Sequence, residues 1–126
     1  MTMRTPLGRV RGLGSAKSGT EHFWQQRLTG MASVPLTIAG VFLVISLTGR
    51  SYTAVKQILA SPLVAVLLLL FVLATAWHMK IGVQVVIEDY VYDEKIKLTL
   101  LILNIFFAIA IGLACAYAIV KLSFGV

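Results

Sequence analysis

Residues 57–79 read QILASPLVAVLLLLFVLATAWHM, 23 positions without Asp, Glu, Lys or Arg, bounded by Lys56 and Lys80. As an α-helix rising about 1.5 Å per residue, such a stretch is roughly 35 Å long, against a hydrocarbon core of about 30 Å. It has no strict alternation, which argues against a barrel strand, and a helix satisfies its own backbone hydrogen bonds in lipid. Working outward, the same signature appears twice more: 22 uncharged residues between Arg27 and Arg50, and 23 between Lys97 and Lys121. The three windows hold 68 of the 126 residues. The expected fold is an all-α membrane protein: three transmembrane helices over about 28–48, 63–87 and 98–121, preceded by a basic, partly irregular N-terminal arm (1–26), together forming one membrane-anchor domain.

Composition agrees. The chain is 59% hydrophobic and 13% charged, where a soluble domain has roughly 45–50% and about 25%. The net charge of +6 comes from residues spread over loops and ends, without the clustering beside aromatics that marks a nucleic-acid binder, so no nucleic-acid partner is expected. Cys115 is alone inside the third window and reads as packing. The first window begins too late, after too many basic residues, to be a secretory signal. Three helices enclose little volume, so any pocket needs walls from another chain.

Met1 to Gly19 mixes Arg4, Arg9, Arg11 and Lys17 with glycines and serines and reads as extended and surface-bound. Thr20 is placed to cap a helix, and Phe23 and Trp24 sit where interfacial aromatics gather. In helix one, Pro35 predicts a bend, and Gly30, Ser33, Thr37 and Gly40 predict a packing stripe. Arg50 to Ala60 reads as a short connection, and Ser61–Pro62 as the cap and first turn of helix two. Glu88 to Lys97 forms an acidic second loop. In helix three, Ala108, Gly112 and Ala116 make a second small-residue stripe, and Asn104 reads as interhelical glue. Basic residues number seven on the N-terminal side of the membrane and three on the other, which places the N-terminus in the cytoplasm.

Against this background His78 stands out. An ionisable group deep in a spanning helix must face a partner, a cavity or a cofactor. A neutral imidazole is either an axial ligand for haem iron or a group hydrogen-bonded to a neighbouring helix. Gly82, one turn on, would let a flat macrocycle lie against the backbone. The only other histidine, His22, precedes helix one, so bis-histidine ligation would need a second subunit. Lys80 is about 200° around the helix from His78 and is expected to snorkel towards the cytoplasm. Asp89 lies on the face of His78 if the helix persists, about 17 Å nearer the cytoplasm. With Tyr90 it forms an acid–phenol pair suited to the carbonyl head of a quinone, although a tyrosine at that depth also fits an interfacial belt.

The segment His78-Met-Lys-Ile-Gly-Val-Gln-Val-Val-Ile-Glu-Asp-Tyr-Val91, of the form H-x3-G-x-Q-V-x3-D-Y-V, resembles the second-helix signature of the hydrophobic membrane anchor subunit of succinate dehydrogenase (complex II). The EHFWQQR run ending at Arg27 resembles the alphaproteobacterial branch. The resemblance covers essentially the whole chain. It implies a bacterial inner-membrane subunit that pairs with a cytochrome b556 subunit and holds a flavoprotein and an iron–sulfur subunit, with no activity in isolation. It further implies that His78 is one axial ligand of a haem b shared with the cytochrome subunit, that Arg27 faces the haem propionates, and that Tyr90 and Asp89 bind ubiquinone. The sequence departs from that pattern at Lys80 and Glu88. A fumarate reductase anchor, and a haem-free assembly or transport subunit in which His78 is only glue, are the competing expectations.

Overall fold

The structure is a computed structural model that describes residues 5–12 and 19–124. Among the described residues it is wholly helical: α1 (Pro6–Val10), α2 (Glu21–Leu47), α3 (Tyr52–Leu59), α4 (Pro62–Tyr90) and α5 (Glu94–Phe124). Three of these, α2, α4 and α5, are long and apolar enough to cross a membrane. The chain is a multi-pass membrane protein.

The spanning helices exceed the expected limits, chiefly at the ends facing the N-terminal side. α2 starts at Glu21, so residues 21–26 leave the arm and carry Phe23 and Trp24 into a first helical turn, where their rings meet edge to face at 5.7 Å. α4 runs through Tyr90 and α5 starts at Glu94, leaving only Val91 to Asp93 as the acidic loop. The physical reason is capping: Asp93 Oδ1 accepts from the backbone N–H of Lys95 and of Ile96, both at 2.9 Å, satisfying donors that a helix start leaves unpaired. Thr20 occupies the cap position of α2 without a side-chain capping bond, and Ser61 does the same ahead of Pro62 in α4.

Two short helices depart from the expected layout. In the arm, Thr5 Oγ1 accepts from Gly8 N at 3.1 Å and Pro6 opens the turn, a cap-and-proline pair that starts α1. The rest of the arm's glycine- and serine-rich stretch, 13–18, lies outside the described residues. In the first connection, Ser51 caps α3. There Ala54, Val55, Ile58 and Leu59 are half-buried while Tyr52, Thr53, Lys56 and Gln57 are exposed, so one apolar face rests against the ends of α4 and α5. The chain reaches α3 through Gly49, whose φ of +74° is left-handed and suits glycine at a helix end.

α4 is the central helix, with α5 on one side and α2 on the other. Its seam with α5 is close. Ala108 and Gly112 are buried, and a Cβ at Gly112 would stand 3.7 Å from the Ala76 Cβ. Asn104, also buried, donates from Nδ2 to the Lys80 carbonyl at 2.8 Å. The glue role is therefore the observed one, and Asn104→Ala is expected to weaken α4–α5 association by about 0.6 kcal/mol, at most about 1.7, in a reversible unfolding titration in detergent.

The seam with α2 differs. α2 has no buried residue, and although it stays helical across Pro35, its small-residue stripe packs at one end only. Gly30 meets α4, whereas a Cβ at Gly40 would meet nothing within 4 Å and Thr37 is exposed. Beyond that end, Leu36, Gly40 and Leu43 of α2 and Val64, Leu68 and Phe71 of α4 line an open apolar groove of about 340 Å³. Leu73, Phe106 and Phe107 are more than half exposed. Such side chains require lipid or a partner's helices around them.

Candidate functional site

A cluster of polar side chains lies where α2 and α4 touch. His78 is half-buried, with its Nδ1 3.0 Å from Thr29 Oγ1. The α2 backbone approaches the same ring: a Cβ at Gly30 would be 3.2 Å from His78 Cε1, so only glycine fits there without moving the imidazole. One turn along α4, a Cβ at Gly82 would be 3.5 Å from Gln26 Nε2, and Gln26 Oε1 is buried without a partner among the described residues. Trp77 Nε1 donates to Gln25 Oε1 at 3.4 Å, tying the two helices once more. Thr29, Gly30, Gln25 and Gln26 thus belong to the site, a fact sequence reasoning missed. The signal was present in the two adjacent glutamines just ahead of Arg27 and the first apolar window, with Thr29 and Gly30 one turn later.

His78 Nε2 makes no hydrogen bond among the described residues, yet is not among the sealed, unpartnered atoms. One ring nitrogen is engaged and the other is open. No group of three or more His, Cys, Asp or Glu is gathered among the described residues, so a metal at His78 would depend on ligands from outside this chain.

α4 is unbroken from His78 to Asp89, so the eleven-residue step holds and the two lie within about 20° around the helix and about 17 Å apart along it. Asp89 and Tyr90 are both exposed at the helix end, Tyr90 by 75%, and neither side chain is tied down by a hydrogen bond among the described residues. The Arg27 guanidinium lies 5.0 Å from the Phe23 ring centroid, a cation–π contact on the exposed side of α2. Within the chain, His78 and Gly82 share the α2–α4 seam, while Asp89, Tyr90 and Arg27 stand apart on open surfaces.

The two departures from the signature, Lys80 and Glu88, prove to be connected. Lys80 Nζ donates to Gln84 Oε1 at 3.0 Å, and Gln84 Nε2 donates to Glu88 Oε1 at 2.8 Å. Lys80 therefore points one turn towards the Tyr90 end, as snorkelling requires. Its positive charge is joined through a neutral amide to the negative charge at Glu88. Lys97 Nζ adds a bond to the Glu88 carbonyl at 3.2 Å, pinning the start of α5 to the end of α4.

A family model described as succinate dehydrogenase/fumarate reductase transmembrane subunit matches residues 1–115. The chain belongs to that family. Among relatives of this succinate dehydrogenase/fumarate reductase family, a succinate dehydrogenase hydrophobic membrane anchor subunit of Rickettsia conorii is 32% identical, covering 92% of this chain and 93% of the relative. Proteins of the same description from Paracoccus denitrificans (28% identical; 96% and 93% covered) and Rickettsia bellii (30%; 79% and 79%) are also similar. No solved structure matches the chain. The resemblance carried by His78 to Val91 is thus borne out at the level of the family. Three spanning helices with much exposed apolar surface are a form that suits a subunit of a larger assembly.

Proposed function

We propose that this chain is the membrane anchor of a succinate:ubiquinone oxidoreductase. It sits in a bacterial inner membrane with its N-terminus in the cytoplasm, contributes one axial ligand to a haem b shared with a cytochrome b556 subunit, and forms part of a ubiquinone site. The observation that carries the reading is the His78 imidazole inside a spanning helix, with Nδ1 engaged by α2 and Nε2 open. This donor set fits a haem held between two subunits, each supplying one histidine. When bound, the haem supplies a one-electron redox centre within the membrane. Arg27 is assigned to its propionates, since a guanidinium matches a carboxylate in charge and geometry. Gly82 keeps the face beside His78 free of a side chain on α4, although a macrocycle there would share it with the Gln26 carboxamide.

At the cytoplasmic end, the Tyr90 hydroxyl donates a hydrogen bond to a quinone carbonyl, and the Asp89 carboxylate beside it orients the phenol and relays protons. Reduction of a quinone to a quinol takes up two electrons and two protons. The electrons come from succinate oxidised in the flavoprotein and passed through the iron–sulfur subunit; the proton-handling groups on this chain are Asp89 and Tyr90. Their exposure in the isolated chain supports a pocket completed by those partners. Alone, the chain is expected to catalyse nothing.

The experiment that tests this assignment is purification of the tagged chain in mild detergent, with identification of what accompanies it. A flavoprotein, an iron–sulfur protein and a second three-helix subunit are expected in equal amounts. Recovery of the chain alone would overturn the assignment.

A further inference from the structure

We infer that Thr29 of α2 is a positioning residue for His78: its hydroxyl oxygen accepts the Nδ1 proton, fixes the tautomer, and so leaves Nε2 as the nitrogen that meets a metal. The inference rests on the haem-ligand reading above and extends it to a residue on another helix. Thr29 Oγ1 lies 2.7 Å from the Gln25 carbonyl oxygen, 3.2 Å from that of Gln26, and 3.0 Å from His78 Nδ1. A hydroxyl has one proton and two lone pairs. With the proton donated back to the Gln25 carbonyl in the preceding turn, Oγ1 can hold Nδ1 only as an acceptor. The imidazole proton is then on Nδ1 and the lone pair on Nε2.

This is the polarity a ligating imidazole needs. A metal-bound histidine donates its other N–H to an acceptor, which sets the ring orientation and raises the basicity of the ligating nitrogen. The ring is also bounded on the α2 side by Gly30, where an added Cβ would stand 3.2 Å from Cε1 and 3.7 Å from Nδ1. Thr29 and Gly30 act together, one setting the proton and the other admitting the ring. Ser33, one turn further, donates its hydroxyl to the Thr29 carbonyl at 2.8 Å and so belongs to the backbone of α2 rather than to the ring.

The test uses Thr29→Val, which keeps the branched shape and removes the oxygen, and Thr29→Ser, which keeps the oxygen. Both are placed in the assembled complex. The readouts are haem per complex, the low-spin electron paramagnetic resonance g values and the haem midpoint potential. Thr29→Val is expected to retain haem about 10- to 100-fold more weakly, the size of effect typical of lost outer-shell partners. It should also shift the largest g value and raise the midpoint potential, because an imidazole without its acceptor is a poorer electron donor. Thr29→Ser should restore all three. A merely structural threonine would lower the yield of complex and leave the g values and potential of the assembled fraction unmoved. Should Thr29→Val fail to assemble, Thr29→Ala is read by the same three measurements. Haem content, g values and potential identical to those of the unaltered complex would overturn the inference. If His78→Ala removes the haem signal while Thr29→Val changes nothing, the Thr29 assignment alone falls; if His78→Ala leaves the signal intact, both fall.

Discussion

Replacing His78 with alanine is expected to abolish the low-spin b-type absorption of the purified complex. The effect should exceed the roughly 10- to 100-fold loss that removal of an outer-shell partner brings, since here the ligand itself is lost. Among the described residues no other histidine or thiol is placed to substitute. His22 lies exposed in the first turn of α2, and Cys115 is exposed on α5. The structural cost of the change should be modest by comparison: His78 makes one side-chain hydrogen bond among the described residues, to Thr29, and such a bond contributes about 1 kcal/mol net. The measurement is the reduced-minus-oxidised spectrum of complex matched for flavin content. A spectrum unchanged in shape and amplitude would defeat the ligand assignment and leave His78 as interhelical glue.

The second large effect is expected from Tyr90→Phe. The change removes one phenolic O–H from an exposed side chain, where substitutions ordinarily move stability by no more than about 0.5 kcal/mol. Loss of a proton donor at the reacting carbonyl should slow succinate-driven ubiquinone reduction by roughly 100-fold. Succinate oxidation with an artificial acceptor, which bypasses the quinone site, should stay within twofold of the unaltered complex. Asp89→Asn should follow the same pattern with a smaller loss. Equal loss in both assays would show that Tyr90 serves assembly and not quinone chemistry.

Much of this site is legible in the sequence. His78 is conspicuous because a titratable group in the second apolar window has no cheap explanation. Asp89 is conspicuous because it follows His78 at a helical spacing, and Tyr90 because it adjoins Asp89 as an acid–phenol pair. The continuity of α4 to Tyr90 turns that spacing into geometry. Lys80 can be read as snorkelling from its offset around the helix. Its connection through Gln84 to Glu88 cannot, because a glutamine at that spacing is as easily a solvated side chain. α3 escapes notice because eight residues are too few for a periodic signal to stand out from a loop, and α1 because a cap and a proline are faint beside so many glycines.

The sequence by itself determined the three membrane-spanning helices and the depth of His78 within the second. Long uncharged runs have one stable solution in lipid, a helix that satisfies its own backbone. The tertiary structure alone decided which side chains meet. Small-residue stripes at Gly30–Gly40 and Ala108–Ala116 look alike in sequence, yet one packs only at its start while the other brings Ala108 and Gly112 into a close seam. Helix rotation and crossing, which set the meeting of Thr29 with His78 across 49 residues and of Asn104 with Lys80 across 24, depend on the fit of whole surfaces. In lipid, that fit replaces the hydrophobic effect as the force between helices, and no local pattern encodes it.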